Sequence, residues 1–121
     1  MQNFEDILRL ANDARTRIRE ISPDEAGTLV ASGALLLDVR EEKEFKAGHI
    51  SGAIHISRES LETRISEIIP EKSTSIVCYC TIGHRSAIAA DTLQKLGYLN
   101  VASIAGGLKA YLASSSARKS A

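Results

Sequence analysis

Ser75-Ile76-Val77-Cys78-Tyr79-Cys80-Thr81-Ile82-Gly83-His84-Arg85-Ser86 is the stretch that decides how this chain folds. Its first five residues form an apolar run that suits a strand buried on both faces. Residues 87–96 carry small and apolar side chains at helical spacing and stop at Gly97. Between strand and helix lies a short loop that opens with Cys80. The backbone N–H groups of such a loop can turn inward and form a cradle. The first turn of the helix adds unpaired N–H groups and the positive end of its dipole. An anion held there sits beside the sulfur, and a thiol so placed loses its proton more readily than a free one. The alternative is a buried structural cysteine at a strand end. Gly83, Arg85 and the following helix favour a nucleophile.

Working outward, 34–40 is a second apolar run, ending in the charges of Asp38 and Arg40. It suits a parallel strand with polar groups at its carboxyl end. Residues 53–56 and 100–104 give two further strands. Helices are expected over 22–33, from the capping box Ser22-Pro23-Asp24-Glu25, and over 41–47, closed by Gly48. Others are expected over 57–69, with Leu61, Ile65, Ile68 and Ile69 inward and Pro70 as the stop, and over 108–113 after a Gly106-Gly107 turn. A first helix, capped by Asn3, is expected over 3–20, with Phe4, Ile7, Leu8, Ala11, Ala14, Ile18 and Ile21 on one stripe. That stripe packs on the domain or forms a dimer contact. Strands alternating with helices predict an α/β fold, a central parallel sheet covered on both faces. The site of such a sheet lies beyond the strands' carboxyl ends, where Asp38, Arg40 and Cys80 all fall.

The chain has 121 residues, enough for one domain with one core and no need of a metal or disulfide to fold. The organisation expected is an N-terminal helical extension over 1–21, one domain over 22–113, and a small, polar, disordered tail over 114–121. Fifteen Lys and Arg balance fifteen Asp and Glu. That balance gives no electrostatic case for nucleic acid or an anionic membrane as partner. The N-terminal residues lack a basic segment followed by an apolar one, so no secretory leader is read, and no apolar run is long enough to span a bilayer. Two cysteines without a leader suggest free thiols in a reducing compartment, the cytoplasm. Three scattered histidines make no metal site.

Three separated motifs resemble those of the rhodanese family. Leu37-Asp38-Val39-Arg40-Glu41, Glu44-Phe45 and Gly48-His49-Ile50-Ser51-Gly52-Ala53 look like its first signature. Cys80-x-x-Gly83-x-Arg85-Ser86 looks like its active-site loop, and Gly106-Gly107-Leu108-Lys109-Ala110-Tyr111 like its C-terminal signature. The resemblance spans roughly 22–113 and points to the single-domain members. One departure is Tyr111, where the family usually has tryptophan; an aromatic body with a polar tip keeps the packing role. The resemblance implies a two-step transfer of sulfane sulfur through one nucleophile, with no metal or organic cofactor. The Cys80 thiolate takes sulfur from a small donor such as thiosulfate or a polysulfide and passes it to cyanide or a thiol. A protein partner could serve as donor or acceptor.

A more acidic thiol gives more thiolate but a weaker nucleophile, so the net gain in attack is only about threefold. The cradle therefore matters more for holding the outer sulfur and easing its departure, and loop backbone geometry should outweigh any one loop side chain. Gly83 is the residue that can take a positive φ to turn an N–H inward. Thr81 and Ile82 add no charge. Arg85 either meets an anionic donor or braces the loop through Asp38 or Glu44. Ser86 is expected to cap the helix, and His84 to be a solvated loop histidine at the mouth rather than a proton-transfer group. Asp38 and Arg40 are expected to support the site, Arg40 through a pair with Glu44. His49 should bond the backbone of its own turn, and His55 gives no functional signal. Cys78 invites a bridge to Cys80, but two residues along a strand put the Cα atoms about 6.6 Å apart, near the far limit for a disulfide. A buried inert thiol is the preferred reading.

Two rivals remain. Some rhodanese-like domains are phosphatases or arsenate reductases, with five residues between Cys and Arg to fit a tetrahedral oxyanion. Here four separate Cys80 from Arg85, which favours a single sulfur atom. The second rival is a carrier or interaction module fed by a partner protein, which shares the persulfide chemistry.

Overall fold

The computed structural model describes residues 3–114. The elements run α1 (Phe4–Ala14), β1 (Arg19–Ile21), α2 (Pro23–Ala31), β2 (Leu35–Asp38), α3 (Glu42–Ala47), β3 (Ile54–His55), α4 (Leu61–Ile68), β4 (Ser75–Tyr79), α5 (His84–Lys95), β5 (Asn100–Ile104) and α6 (Gly107–Leu112). The strands form one sheet in the order β1-β5-β4-β2-β3, and every pairing is parallel. The α/β fold with a central parallel sheet is therefore the one the alternation predicts.

Period-two alternation along the central strand β4 assigns its side chains to two cores. Ile76, Cys78 and Cys80 face one side, with Leu61 and Ile65 of α4 and Ala89, Ala90 and Leu93 of α5. Val77 and Tyr79 face the other, with Ala26 of α2 and Tyr111 of α6. Burial on both faces is why 75–79 reads as a continuous apolar run rather than an alternating one. Tyr111 is buried in its cluster, so an aromatic ring fills that position.

Several boundaries differ from the expectations. The first helix ends at Ala14 rather than near residue 20, and 19–21 form an edge strand paired with Ala102, Ser103 and Ile104 of β5. Ile18 and Ile21 continue the helical spacing by coincidence; the strand's partner lies some eighty positions away, where local periodicity cannot see it. α5 begins at His84, not Ala87, because Gly83 adopts a left-handed φ of +100° and acts as its N-cap. Ser86 is thus inside the first turn and does not cap the helix. The segment 57–69 splits into a 3-10 turn (Arg58–Ser60) and α4, and Ile68 is 38% exposed rather than inward. Asn3 does cap α1 and Ser22 caps α2, accepting from Asp6 and Glu25 N–H at 2.9 and 3.1 Å. The expected tail, apart from Ser114, lies outside the described residues, as do the first two residues of the expected extension. Among the described residues no helix is long and apolar enough to cross a membrane.

Candidate active site at the carboxyl end of the sheet

Cys80 directly follows β4, is buried, and lines a cavity of about 280 Å³. Two backbone N–H groups point at the sulfur: those of Gly83 and Ser86, each 3.2 Å from Sγ. The first depends on Gly83's positive φ, and the second is one of the helix-start N–H groups that lack an intrahelical acceptor. A Cβ on Gly83 would meet the backbone N of Gly106 at 3.1 Å, so both conformation and space call for glycine there.

The loop is held from outside by α6. Leu108 N–H donates to the Cys80 carbonyl at 2.7 Å, and Lys109 N–H to the Thr81 carbonyl at 3.1 Å. This contact needs Gly107: a Cβ there would lie 2.5 Å from the Cys80 carbonyl oxygen. Gly106-Gly107, expected only as a turn, is therefore the clasp on the cysteine loop. Behind the loop, the buried hydroxyls of Ser86 and Ser103 are 2.8 Å apart, and Ser86 Oγ also donates to the Gly83 carbonyl at 3.3 Å. Cys80 Sγ lies 3.5 Å from Ser86 Oγ. Ser86 thus contributes a backbone donor and a hydroxyl brace instead of a cap. Ser103, on the adjacent strand β5, was not singled out in the sequence; a serine in a short apolar strand was its only signal.

Arg85 grips Glu44 with both arms, at 2.6 and 3.0 Å, and also donates to Thr81 Oγ1 at 3.1 Å. Of the two roles open to it in the sequence, bracing is the one its contacts match. The Arg85 guanidinium holds the Glu44 carboxyl at about 2, against the opposing cost of burial. Glu44 is consequently not available to Arg40, and the expected Arg40–Glu44 pair does not form. Arg40 instead pairs with Asp38, through Nη2 at 2.8 Å and Nε at 3.1 Å to both carboxylate oxygens, and donates to the Gly48 carbonyl at 2.6 Å. The reason is local: Arg40 N–H also bonds Asp38 Oδ1 at 2.9 Å, so the backbone turn already presents the carboxylate to the guanidinium. Both residues are buried.

His84 is half-buried rather than solvated. Its Nδ1 accepts from Arg15 Nη2 at 3.0 Å, and its ring meets Phe4 edge-on with centroids 5.9 Å apart. Burial, then the Arg15 charge, lower its pKa, in keeping with a neutral ring that accepts at Nδ1. His49 Nδ1 donates to a backbone carbonyl, that of Phe45 on α3 at 2.8 Å rather than one within its own turn. His55 Nε2 donates to the Arg40 carbonyl at 2.7 Å, and Phe45 stacks on both imidazoles. Cys78 and Cys80 are both free thiols, so the bridge is absent here, and burial pushes the Cys78 thiol up, away from reactivity. Ile82 is 45% exposed at the cavity rim. A larger cavity of about 720 Å³ adjoins the site through Ile7 and Arg85, but Cys80 does not line it. Among the described residues no group of three His, Cys, Asp or Glu could hold a metal ion.

The family model of the rhodanese-like domain matches residues 22–114. The chain belongs to the rhodanese family. Over 94 residues it is 37% identical to the thiosulfate sulfurtransferase GlpE of Pseudomonas entomophila, covering 78% of this chain and 84% of that one. A human single-domain sulfurtransferase superposes with a TM-score of 0.70 at 30% identity, over 78% of this chain and 95% of its own. A protein of unknown function from Rhodopseudomonas palustris, described as a possible tyrosine phosphatase, gives a TM-score of 0.79 at 30% identity over 92% of each chain. That last likeness extends beyond 22–114 into the N-terminal segment.

Proposed function

We propose that this rhodanese-family sulfurtransferase moves sulfane sulfur through a persulfide on Cys80. The observation that carries the reading is the pair of backbone N–H groups, on Gly83 and Ser86, that converge on Sγ of a cysteine lining an open cavity. In the first step the Cys80 thiolate attacks the outer sulfur of thiosulfate. The Cys80 S–S bond forms as the donor's S–S bond breaks, and sulfite leaves with the electron pair. A polysulfide or an organic persulfide reacts in the same way, releasing a shorter polysulfide or a thiolate. In the second step cyanide or a thiolate attacks the outer sulfur, and the Cys80 thiolate leaves as thiocyanate or a new persulfide forms. Negative charge sits on Cys80 sulfur at the start of the first step and returns to it in the second, and preorganised N–H donors stabilise it there without rearranging. Neither step needs a metal or an organic cofactor.

In this reading Thr81, Ile82, Gly83, His84, Arg85 and Ser86 form the substrate-binding loop, and Asp38 and Arg40 support it from the neighbouring strand end. Residues 22–113 are the sulfur-transfer domain and 1–21 an extension, of which α1 packs on α5 and β1 joins the sheet as an edge strand. Free, buried cysteines fit a reducing compartment, and we place the protein in the cytoplasm.

A phosphatase needs an arginine whose guanidinium can grip phosphoryl oxygens. Arg85 instead has both arms on Glu44, and the loop is one residue short for a tetrahedral oxyanion. The experiment that tests the proposal is steady-state thiocyanate formation from thiosulfate or polysulfide and cyanide. Turnover by the wild type and its loss to background in Cys80→Ser are expected; turnover by Cys80→Ser contradicts the assignment. A wild type that carries sulfur on Cys80 yet turns over neither donor would instead mark a partner-fed carrier.

A further inference from the structure

The N-terminal helix lies against the active site. Ala11 and Ala14 of α1 are buried, and the helix packs on α5. Beyond its end, Arg17 clamps Asp91 at 2.7 and 2.9 Å, and Gln94 donates to the Arg17 carbonyl at 3.0 Å. Arg15 donates to the Gly83 carbonyl at 3.3 Å as well as to His84. With its carboxyl end tied down this way, α1 brings Phe4 and Ile7 to the lining of the cavity that Cys80 also lines. Ile82 adds a further apolar lining residue from the loop itself. Phe4 is 59% and Ile82 45% exposed, so these are large apolar groups left facing an opening rather than packed in a core.

The charge at this opening is balanced. Apart from the Cys80 thiolate, the ionised side chains lining it are Glu44 and Arg85, and each is the other's partner. Arg15, behind His84, is itself paired with Glu20 at 2.9 Å. His84 is neutral while it accepts from Arg15. A thiosulfate dianion entering here, and the sulfite dianion left behind, would give up water beside Phe4, Ile7 and Ile82 without meeting an unpaired cation. A donor whose sulfane sulfur is carried on an apolar group would bury that group against the same three side chains and bring one charge fewer.

We propose that Phe4 and Ile7 of α1 are specificity-determining residues that select organic sulfane donors with an apolar substituent, such as aryl or alkyl thiosulfonates and hydrophobic persulfides, over thiosulfate. The inference rests on the Cys80 persulfide reading and names its preferred donor. The balanced step for a thiosulfonate is Cys–S⁻ + R–SO₂–S⁻ giving Cys–S–S⁻ + R–SO₂⁻. The apolar R group and the departing sulfinate occupy the cavity beneath α1.

The test is the ratio of kcat/KM for benzenethiosulfonate to kcat/KM for thiosulfate, with cyanide as acceptor, in wild type, Phe4→Ala and Phe4→Arg. Comparing ratios between variants removes the intrinsic difference in reactivity between the donors. Phe4 is more than half exposed, so the fold does not depend on it. Phe4→Ala is expected to lower the ratio about fivefold, within the range that one apolar contact contributes to discrimination. Phe4→Arg is expected to lower it further, because the new cation also raises the thiosulfate value. A ratio constant within twofold in both variants overturns the inference. Intact-mass measurement on the same samples separates the two claims. Sulfur on Cys80 with a constant ratio overturns only the donor preference, whereas no sulfur on Cys80 from either donor overturns both.

Discussion

Two neighbouring strand ends carry the same kinds of residue and put them to opposite uses. β2 ends in Asp38, followed by Arg40; β4 ends in Tyr79, followed by Cys80 and, one loop later, Arg85. The strands are adjacent and parallel, with Asp38 opposite Tyr79. At the first end acid and arginine are sealed: Asp38 is fully buried, Arg40 nearly so, and their bonding capacity goes to each other, to the Gly48 carbonyl and to the turn backbone. At the second, the ion pair of Arg85 and Glu44 is only part-buried, and the buried backbone donors point at the sulfur of a cysteine that lines an opening. A sealed pair fixes a turn. An open cradle leaves donor capacity for chemistry. The difference is set by what the backbone offers: a carboxylate satisfied two residues along its own strand end, against a loop clasped through its carbonyls by α6.

The comparison can be broken most forcefully at Asp38. Asp38→Ala leaves the Arg40 guanidinium buried without its partner, and a destabilisation of roughly 3–5 kcal/mol in urea denaturation is expected. Turnover per folded molecule should fall far less than stability. A loss under about 1 kcal/mol would show that the first end is not sealed. Gly107→Ala reverses the emphasis. Its Cβ collides with the Cys80 carbonyl at 2.5 Å, and its φ of +62° disfavours any side chain. We expect roughly 2 kcal/mol of destabilisation and a loss of sulfur transfer beyond tenfold, because the clasp sets the cradle. Unchanged transfer would detach α6 from the site.

Glu44→Gln gives a smaller effect with a pH signature. The folded-state pKa of Glu44 is depressed to about 2 from an ordinary 4.5, so its contribution is present above pH 4.5 and is lost as pH falls toward 2. Both partners are about one quarter to one third exposed, and solvent screening brings the expected contribution to roughly 1 kcal/mol. Wild type and variant should differ in stability at neutral pH and converge on acidification through that window. A difference undiminished between neutral pH and pH 2 would contradict the pairing. At the far end of the scale, Lys46→Ala removes a pair that is 71% exposed on both sides, and a change below about 0.5 kcal/mol is expected.

The parallel sheet and the cysteine loop were legible because they rest on local patterns: buried strands read as apolar runs, and a glycine between cysteine and helix predicts the turned N–H. Arg40, Ser86, His84 and the helix of 3–20 were misjudged for one shared physical reason. Each is decided by a partner distant in sequence or by backbone geometry at one turn. Arg40 follows Asp38 because the turn presents it, Glu44 is claimed by Arg85 41 positions on, and His84 is covered by Arg15, just past the end of α1. β1 forms because β5 leaves an edge, and no periodicity within 19–21 encodes that. The clasp of Gly107 on Cys80 was hidden in what looked like an ordinary glycine turn.

The most direct measurement is the intact mass of the reduced protein after brief exposure to thiosulfate and, separately, to polysulfide, with peptide mapping. An added sulfur on Cys80 of the wild type, absent from Cys80→Ser and restored to the unmodified mass by cyanide, is the predicted result. A folded wild type whose Cys80 reacts with thiol reagents yet gains no sulfur from either donor, or gains it at Cys78, would contradict the account.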